Sequence, residues 1–151
     1  MAERGQECLS LNISYLKIYM GPEAKLYQKI KRATPNIIYN RVENLSVQGM
    51  PDALCYNKRN QFFTVEFKIA KGDKVRLSPH QIAWHFNHPK NTFICIQTLG
   101  PRSEKHFHLV PGSMIEELGA CRLKLETYRL TLEAIAEKFD DVGLTLETLG
   151  A

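Results

Sequence analysis

The apolar positions of this chain change their spacing several times, and each change marks a predicted element. Residues 9–20, LSLNISYLKIYM, are apolar and fit a strand or a helix equally well. From Gly21 the spacing turns helical: in GPEAKLYQKIKRA, Leu26 and Ile30 stand four apart on one face. Pro22 suits the first helical position, Glu23 the positive end of the helix dipole, and Lys29, Lys31 and Arg32 the negative end. Thr34-Pro35-Asn36 stops the helix. Three strand-like stretches follow, IIYNRVEN from Ile37, PDALCY from Pro51 and QFFTVEFKI from Gln61, the last two joined by the turn-forming NKRN. They predict an antiparallel meander.

Ser78 caps a second predicted helix with Pro79 at its first position, and QIAWHF supplies its apolar face. TFICIQTL from Thr92 and HFHLV from His106 predict two more strands, separated by GPRSEK. Beyond them we expect a short helix near SMIEEL, a strand near RLKLETY and a helix over TLEAIAEKF. The order predicts an α/β chain of the α+β type, a mixed sheet flanked by helices, folded as one domain over residues 1–151.

One strand breaks the pattern. Alternate residues of a strand share a face, so Phe63, Val65 and Phe67 form one side of the QFFTVEFKI strand and Thr64, Glu66 and Lys68 the other. A hairpin through NKRN brings Asp52 beside Glu66. Two carboxylates and a lysine then meet at one end of a sheet. Two carboxylates suit Mg²⁺, a hard cation that takes oxygen ligands and keeps several waters, and Mn²⁺ can substitute. Such a metal acidifies water and polarises phosphoryl oxygens. The lysine orients the attacking water or offsets charge developing on phosphate, and a backbone carbonyl such as that of Phe67 can complete the metal's shell. The set fits phosphodiester hydrolysis. The plain structural alternative is an exposed Glu–Lys pair beside an ordinary Pro-Asp turn.

Composition narrows the classes. The hydrophobic share is 44% and the charged share 24%, ordinary for a globular protein. No run reaches the length of a membrane span, and MAERGQECLSLN lacks the pattern of a secretory signal. The four cysteines, at 8, 55, 95 and 121, form no CxxC pair, so we read them as small buried side chains in a reducing compartment. That compartment would be the cytoplasm of a bacterial or phage-infected cell, or another reducing interior. The net charge of +4 is compatible with a polyanionic partner.

Pro51-Asp52 with Glu66-Phe67-Lys68 resembles the motif of the PD-(D/E)xK nuclease superfamily. GMPDAL upstream is similar to the glycine–x–Pro-Asp of that superfamily's virus-type replication-repair nucleases and Holliday-junction resolvases. KGDKVRLSPHQIAWH resembles their segment after the catalytic lysine, through Asp73, Leu77, Ser78, Gln81 and Trp84. The resemblance covers residues 20–98; the loop from Ile69 to Arg76 is longer than the pattern. It implies a restriction-endonuclease-like αβββαβ core. Asp52 and Glu66 become metal ligands, Lys68 the catalytic lysine and Gln81 a helper near the attacking water or the scissile phosphate. Glu23 becomes an acid that joins the site from the first helix. It also implies a DNA partner, a homo-oligomer and structure-selective endonuclease activity on branched DNA. A sequence-specific endonuclease of restriction or homing type, and a non-catalytic DNA-binding protein on the same fold, are the alternatives.

Several residues carry two readings. Gln81 completes a capping box with Ser78, and Glu23 faces a helix dipole. Glu43 is a further candidate acid. Lys58 and Arg59 in the hairpin, and Lys71, Lys74 and Arg76 after Lys68, are the expected DNA contacts. Arg102 and Lys105 form a smaller basic group. His80, His85, His88, His106 and His108 lack zinc spacing and are expected at phosphate or solvent, and Trp84 at the core or an interface.

Overall fold

The computed structural model describes residues 21–42 and 47–144. The apolar run 9–20, Cys8 and Glu43 lie outside them. Helix α1 (Pro22–Ala33) begins after Gly21, which offers no side-chain cap, and buries Leu26, Tyr27 and Ile30. Strands β1 (Ile38–Arg41), β2 (Ala53–Tyr56) and β3 (Phe62–Ile69) form the expected antiparallel meander. Helix α2 (Pro79–Asn87) crosses over to β4 (Thr92–Leu99), which lies parallel to β3; a parallel pair requires such a crossover. Strand β5 (Lys105–Pro111) returns antiparallel, followed by α3 (Ile115–Gly119), a two-residue β6 (Arg129–Leu130) and α4 (Leu132–Asp140). The six strands lie in sequence order in one sheet.

Each face of the sheet has its own core. Phe63, Val65 and Phe67 point with Cys55, Cys95 and Leu109 toward α1 and α4, and meet Leu26, Ile30, Ile135 and Phe139. The other face carries Ile94, Ile96 and Val110 against Ile115, Leu118 and Leu125. Glu66 belongs to this second face. Burying side chains as large as Phe63, Phe67 and Phe139 stabilises the layers by roughly 1.5–3 kcal/mol each.

Three expectations fail. RLKLETY is not a strand: Leu125–Tyr128 forms a 3₁₀ turn, and only Arg129 and Leu130 pair with β5. After Leu125 the next apolar residue is Tyr128, three positions on, the period of a 3₁₀ turn. The inward face of α2 is not its most apolar one: His85 is fully buried while Phe86 is 59% exposed, because the line facing the sheet runs through Gln81 and His85. Cys121 is exposed, unlike Cys55 and Cys95. No described helix is long and apolar enough to cross a membrane.

Candidate active site

The β2–β3 ladder ends with Ala53 opposite Val65, so the next residues outward, Asp52 and Glu66, stand side by side. Where β2 leaves the ladder, the Phe67 N–H donates to Asp52 Oδ2 at 2.8 Å. The carboxylate replaces a backbone acceptor and is thereby oriented, leaving its other oxygen uncommitted by that bond. Gly49 sets the chain on this path. Its φ is +85°, and a Cβ there would run into the His80 carbonyl at the start of α2.

Glu66 is 2% exposed. Its Oε1 accepts from Gln81 Nε2 at 2.9 Å and lies 3.7 Å from Lys68 Nζ. Its Oε2 is buried with no hydrogen-bond partner among the described residues. Burial, followed by the Asp52 charge, pushes the Glu66 pKa up to about 8; Lys68 pulls it down and Glu23 adds to the rise. Glu23 is exposed in the first turn of α1, and its negative charge is a minor contribution to the rise at Glu66.

Gln81 belongs to α2, closes the expected capping box and also bonds to Glu66. Its Oε1 accepts from the Ser78 N–H at 3.0 Å and its own N–H donates to Ser78 Oγ at 3.1 Å, while Nε2 holds Glu66. The cap fixes the amide orientation that Glu66 meets.

The donor set fits a hard divalent cation. Its oxygens come from two carboxylates, and one buried oxygen lacks a partner. The Asp52 charge raises the cost of ionising Glu66, which a cation would offset. Among the described residues, no group of three or more His, Cys, Asp or Glu is gathered for a metal. Asp52 and Glu66 are the two carboxylates that could meet such a cation, with water and backbone oxygens completing a Mg²⁺ shell.

No family model and no curated protein matches the chain. Among solved structures it is similar to Hjc, a Holliday junction resolvase from the hyperthermophilic archaeon Archaeoglobus fulgidus. The TM-score is 0.50 at 20% identity, over 78% of this chain and 97% of that one. The fold is restriction-endonuclease-like.

Within the restriction-endonuclease-like sheet the expected DNA contacts divide. Lys71, Lys74 and Arg76 are exposed on the loop directly after β3, at the end where Lys68 stands. A Lys71–Lys74 bridge turns that loop, and the Leu125 N–H donates to Asp73 Oδ1 at 3.0 Å, pinning it to the 3₁₀ turn. Lys58 and Arg59 sit at the opposite end of β3. Glu66 lies four residues beyond Phe62, about 13 Å along the strand. Arg59 is also engaged elsewhere, donating through Nε to the Asp140 carbonyl at 3.0 Å and pairing with Asp141 at 3.6 Å. Asn57 holds both partners of this contact: its Oδ1 accepts from the Arg59 and Gln61 N–H groups, and its Nδ2 donates to Phe139 and Val142 at 3.0 and 2.9 Å.

The histidines are mostly structural. His108 is buried between Thr98 Oγ1 and the Leu125 carbonyl, each at 2.8 Å, and burial lowers its pKa. His88 stacks on Trp84 at 4.1 Å, and His106 stands 3.6 Å from Glu104. His80 is exposed at the start of α2. His85, expected at phosphate or solvent, is instead buried: its Nδ1 meets the Gln81 carbonyl at 2.9 Å, and burial lowers its pKa, so the neutral ring donates there. The four-residue spacing from Gln81 was the available signal.

Proposed function

We propose that this protein is a metal-dependent endodeoxyribonuclease that hydrolyses phosphodiester bonds in branched DNA. The observation that carries the reading is the meeting of Asp52, Glu66, Lys68 and Gln81 at one end of β3, with a partnerless buried carboxylate oxygen. Asp52 and Glu66 would hold Mg²⁺ or Mn²⁺. When bound, the metal would supply Lewis acidity to the phosphoryl oxygens and acidify water. Phe67 N–H and Gln81 keep the two carboxylates aimed, so little reorganisation accompanies the reaction. Lys68 presents an ammonium where negative charge builds on phosphorus-bound oxygen. Glu23 extends the acidic set from α1. Water adds to phosphorus, one P–O ester bond breaks, and the leaving oxygen takes a proton. Lys71, Lys74 and Arg76 would hold neighbouring phosphates.

The choice of branched DNA draws support from the fold shared with Hjc, itself a Holliday junction resolvase. We further propose a homodimer, which would present two such sites to one branched substrate. Ile38 and Phe62, 59% and 57% exposed, support a covered surface on the sheet side opposite α1. The test compares a synthetic four-way junction, a linear duplex of the same sequence and a supercoiled plasmid, with Mg²⁺, Mn²⁺ or EDTA. Preferential, EDTA-sensitive cutting of the junction is expected. Equal cutting of the linear duplex would return the reading to a sequence-specific endonuclease, and no cutting with either metal would leave a DNA-binding protein.

A further inference from the structure

A second basic surface lies around α1 from the carboxylates. Lys25, Lys29 and Arg32 are spaced four and three apart and so share one side of α1. They line a cleft of ≈ 440 Å³ floored by Leu132. A cleft of ≈ 530 Å³ adjoins it at the same leucine and is lined by Lys105 and Arg129. Arg129 is met by Glu126 at 3.3 Å. Among the described residues, Lys25, Lys29, Arg32 and Lys105 form no ion pair with a carboxylate.

The arrangement is costly in the free protein. Lys29 is half-buried and its ammonium stands 5.5 Å over the Phe107 ring, while Lys105 and Arg32 crowd it with like charge. Burial and the Lys105 charge lower its pKa. Exposed lysines ordinarily spread apart; these are gathered along a groove. A regular row of anions relieves the crowding. From Lys25 to Arg32 the row extends about 10 Å along the helix, equal to the rise of about three base pairs at 3.4 Å per phosphate of one strand.

We propose that the groove between Lys25, Lys29 and Arg32 of α1 and Lys105 of β5 binds a stretch of DNA phosphate backbone remote from the scissile bond. It rests on the nuclease reading for the identity of the polyanion. It adds a surface that neither the carboxylates nor the loop after β3 forms, and gives the duplex arm beyond the cut a place to lie.

The test measures binding to a fluorescent linear duplex and to a four-way junction in EDTA, over roughly 50–300 mM KCl, a range that brackets the Debye length of about 10 Å at 0.1 M. The variant carries Lys25→Gln, Lys29→Gln and Lys105→Gln, which keep the aliphatic stems. A matched variant carries three Lys→Arg changes, and Lys124→Gln with Lys138→Gln serves as the control elsewhere on the surface. We expect the Gln triple to lose about 10–100-fold in affinity near 0.1 M salt and its log–log salt slope to fall by about 2–3, while the Arg triple and the control keep the slope. An unchanged slope in a Gln triple whose parent binds and cuts DNA overturns the groove and leaves the nuclease reading standing. The expected slope change in a protein that cuts nothing with Mg²⁺ or Mn²⁺ supports the groove and removes the nuclease. Failure of the parent to bind either DNA overturns both. Tighter binding of poly-glutamate than of duplex at equal salt, lost in the Gln triple, assigns the groove to an acidic protein and overturns the DNA proposal.

Discussion

Substituting Glu66 by glutamine isolates the electrostatic cost of the carboxylate pair. Glu66 is nearly fully buried beside Asp52, and its pKa rises from an ordinary 4.5 to about 8. A folded-state pKa above the unfolded one means that the folded protein holds its proton more tightly. Stability is then highest below pH 4.5 and is lost as pH rises through the interval from 4.5 to about 8. At about 1.4 kcal/mol per pH unit the full loss is about 5 kcal/mol as an upper bound, and on the order of 2–4 kcal/mol once water penetration relaxes the site. Glutamine keeps the shape and can meet the Gln81 amide, but it has no proton to lose. In metal-free urea titrations, Glu66→Gln should match the parent at pH 4 and exceed it by on the order of 2–4 kcal/mol at pH 8. Mg²⁺ should then stabilise the parent at pH 8, by about 2.7 kcal/mol at a hundredfold excess over its dissociation constant, and leave the variant unmoved. A variant no more stable than the parent at pH 8, or a gain of the same size at both pH values, would refute the account of Glu66 as a buried carboxylate held beside a second charge.

Three further outcomes follow from the same geometry. Asp52→Ala should fold and lose Mg²⁺-dependent cleavage in a single-turnover assay, since one of two carboxylates is gone; full cleavage at ordinary Mg²⁺ would remove the site assignment. Lys68→Ala should lower the cleavage rate far more than DNA affinity, and Lys68→Arg should not rescue it, because a planar fork does not replace a compact ammonium; a proportionate loss of rate and affinity would make Lys68 a phosphate anchor. His108→Ala should cost about 2–4 kcal/mol in urea unfolding, because it leaves Thr98 and the Leu125 carbonyl without their shared partner and opens a cavity, and a cost below 1 kcal/mol would contradict the buried bridge.

The elements were legible wherever one local signal decided them. Pro22 and Thr34 bracket α1, the alternation in QFFTVEFKI spans β3, and Ser78-Pro79 opens α2 at the expected residue. The segment after Arg122 was not legible, because what holds it is remote in sequence. Leu125 is fixed by Asp73 and His108, which no local period encodes. The inward face of α2 was misjudged for a related reason. A polar side chain can face the sheet when the helix gives it a partner: His85 Nδ1 meets the Gln81 carbonyl, although its Nε2 is buried with no hydrogen-bond partner among the described residues.

That Asp52, Glu66 and Lys68 are neighbours was legible, but what else joins them depended on strand length. Asp52 and Glu66 meet because the β2–β3 register puts Ala53 opposite Val65, and the same register sends Lys58 and Arg59 to the far end. A basic hairpin adjacent in sequence to the strand that carries Glu66 and Lys68 is thus distant from them in space once that strand runs eight residues. The opposite holds for Gln81. Capping α2 and a place at the site looked like competing roles for Gln81, yet an amide has two ends: Oε1 closes the capping box and Nε2 reaches the Glu66 carboxylate. Because the helix start itself fixes that amide, and His85 grips the same residue's carbonyl one turn later, the aim of Glu66 is built into the crossover that makes β3 and β4 parallel. The connection that the sheet topology requires is the one that orients the buried carboxylate.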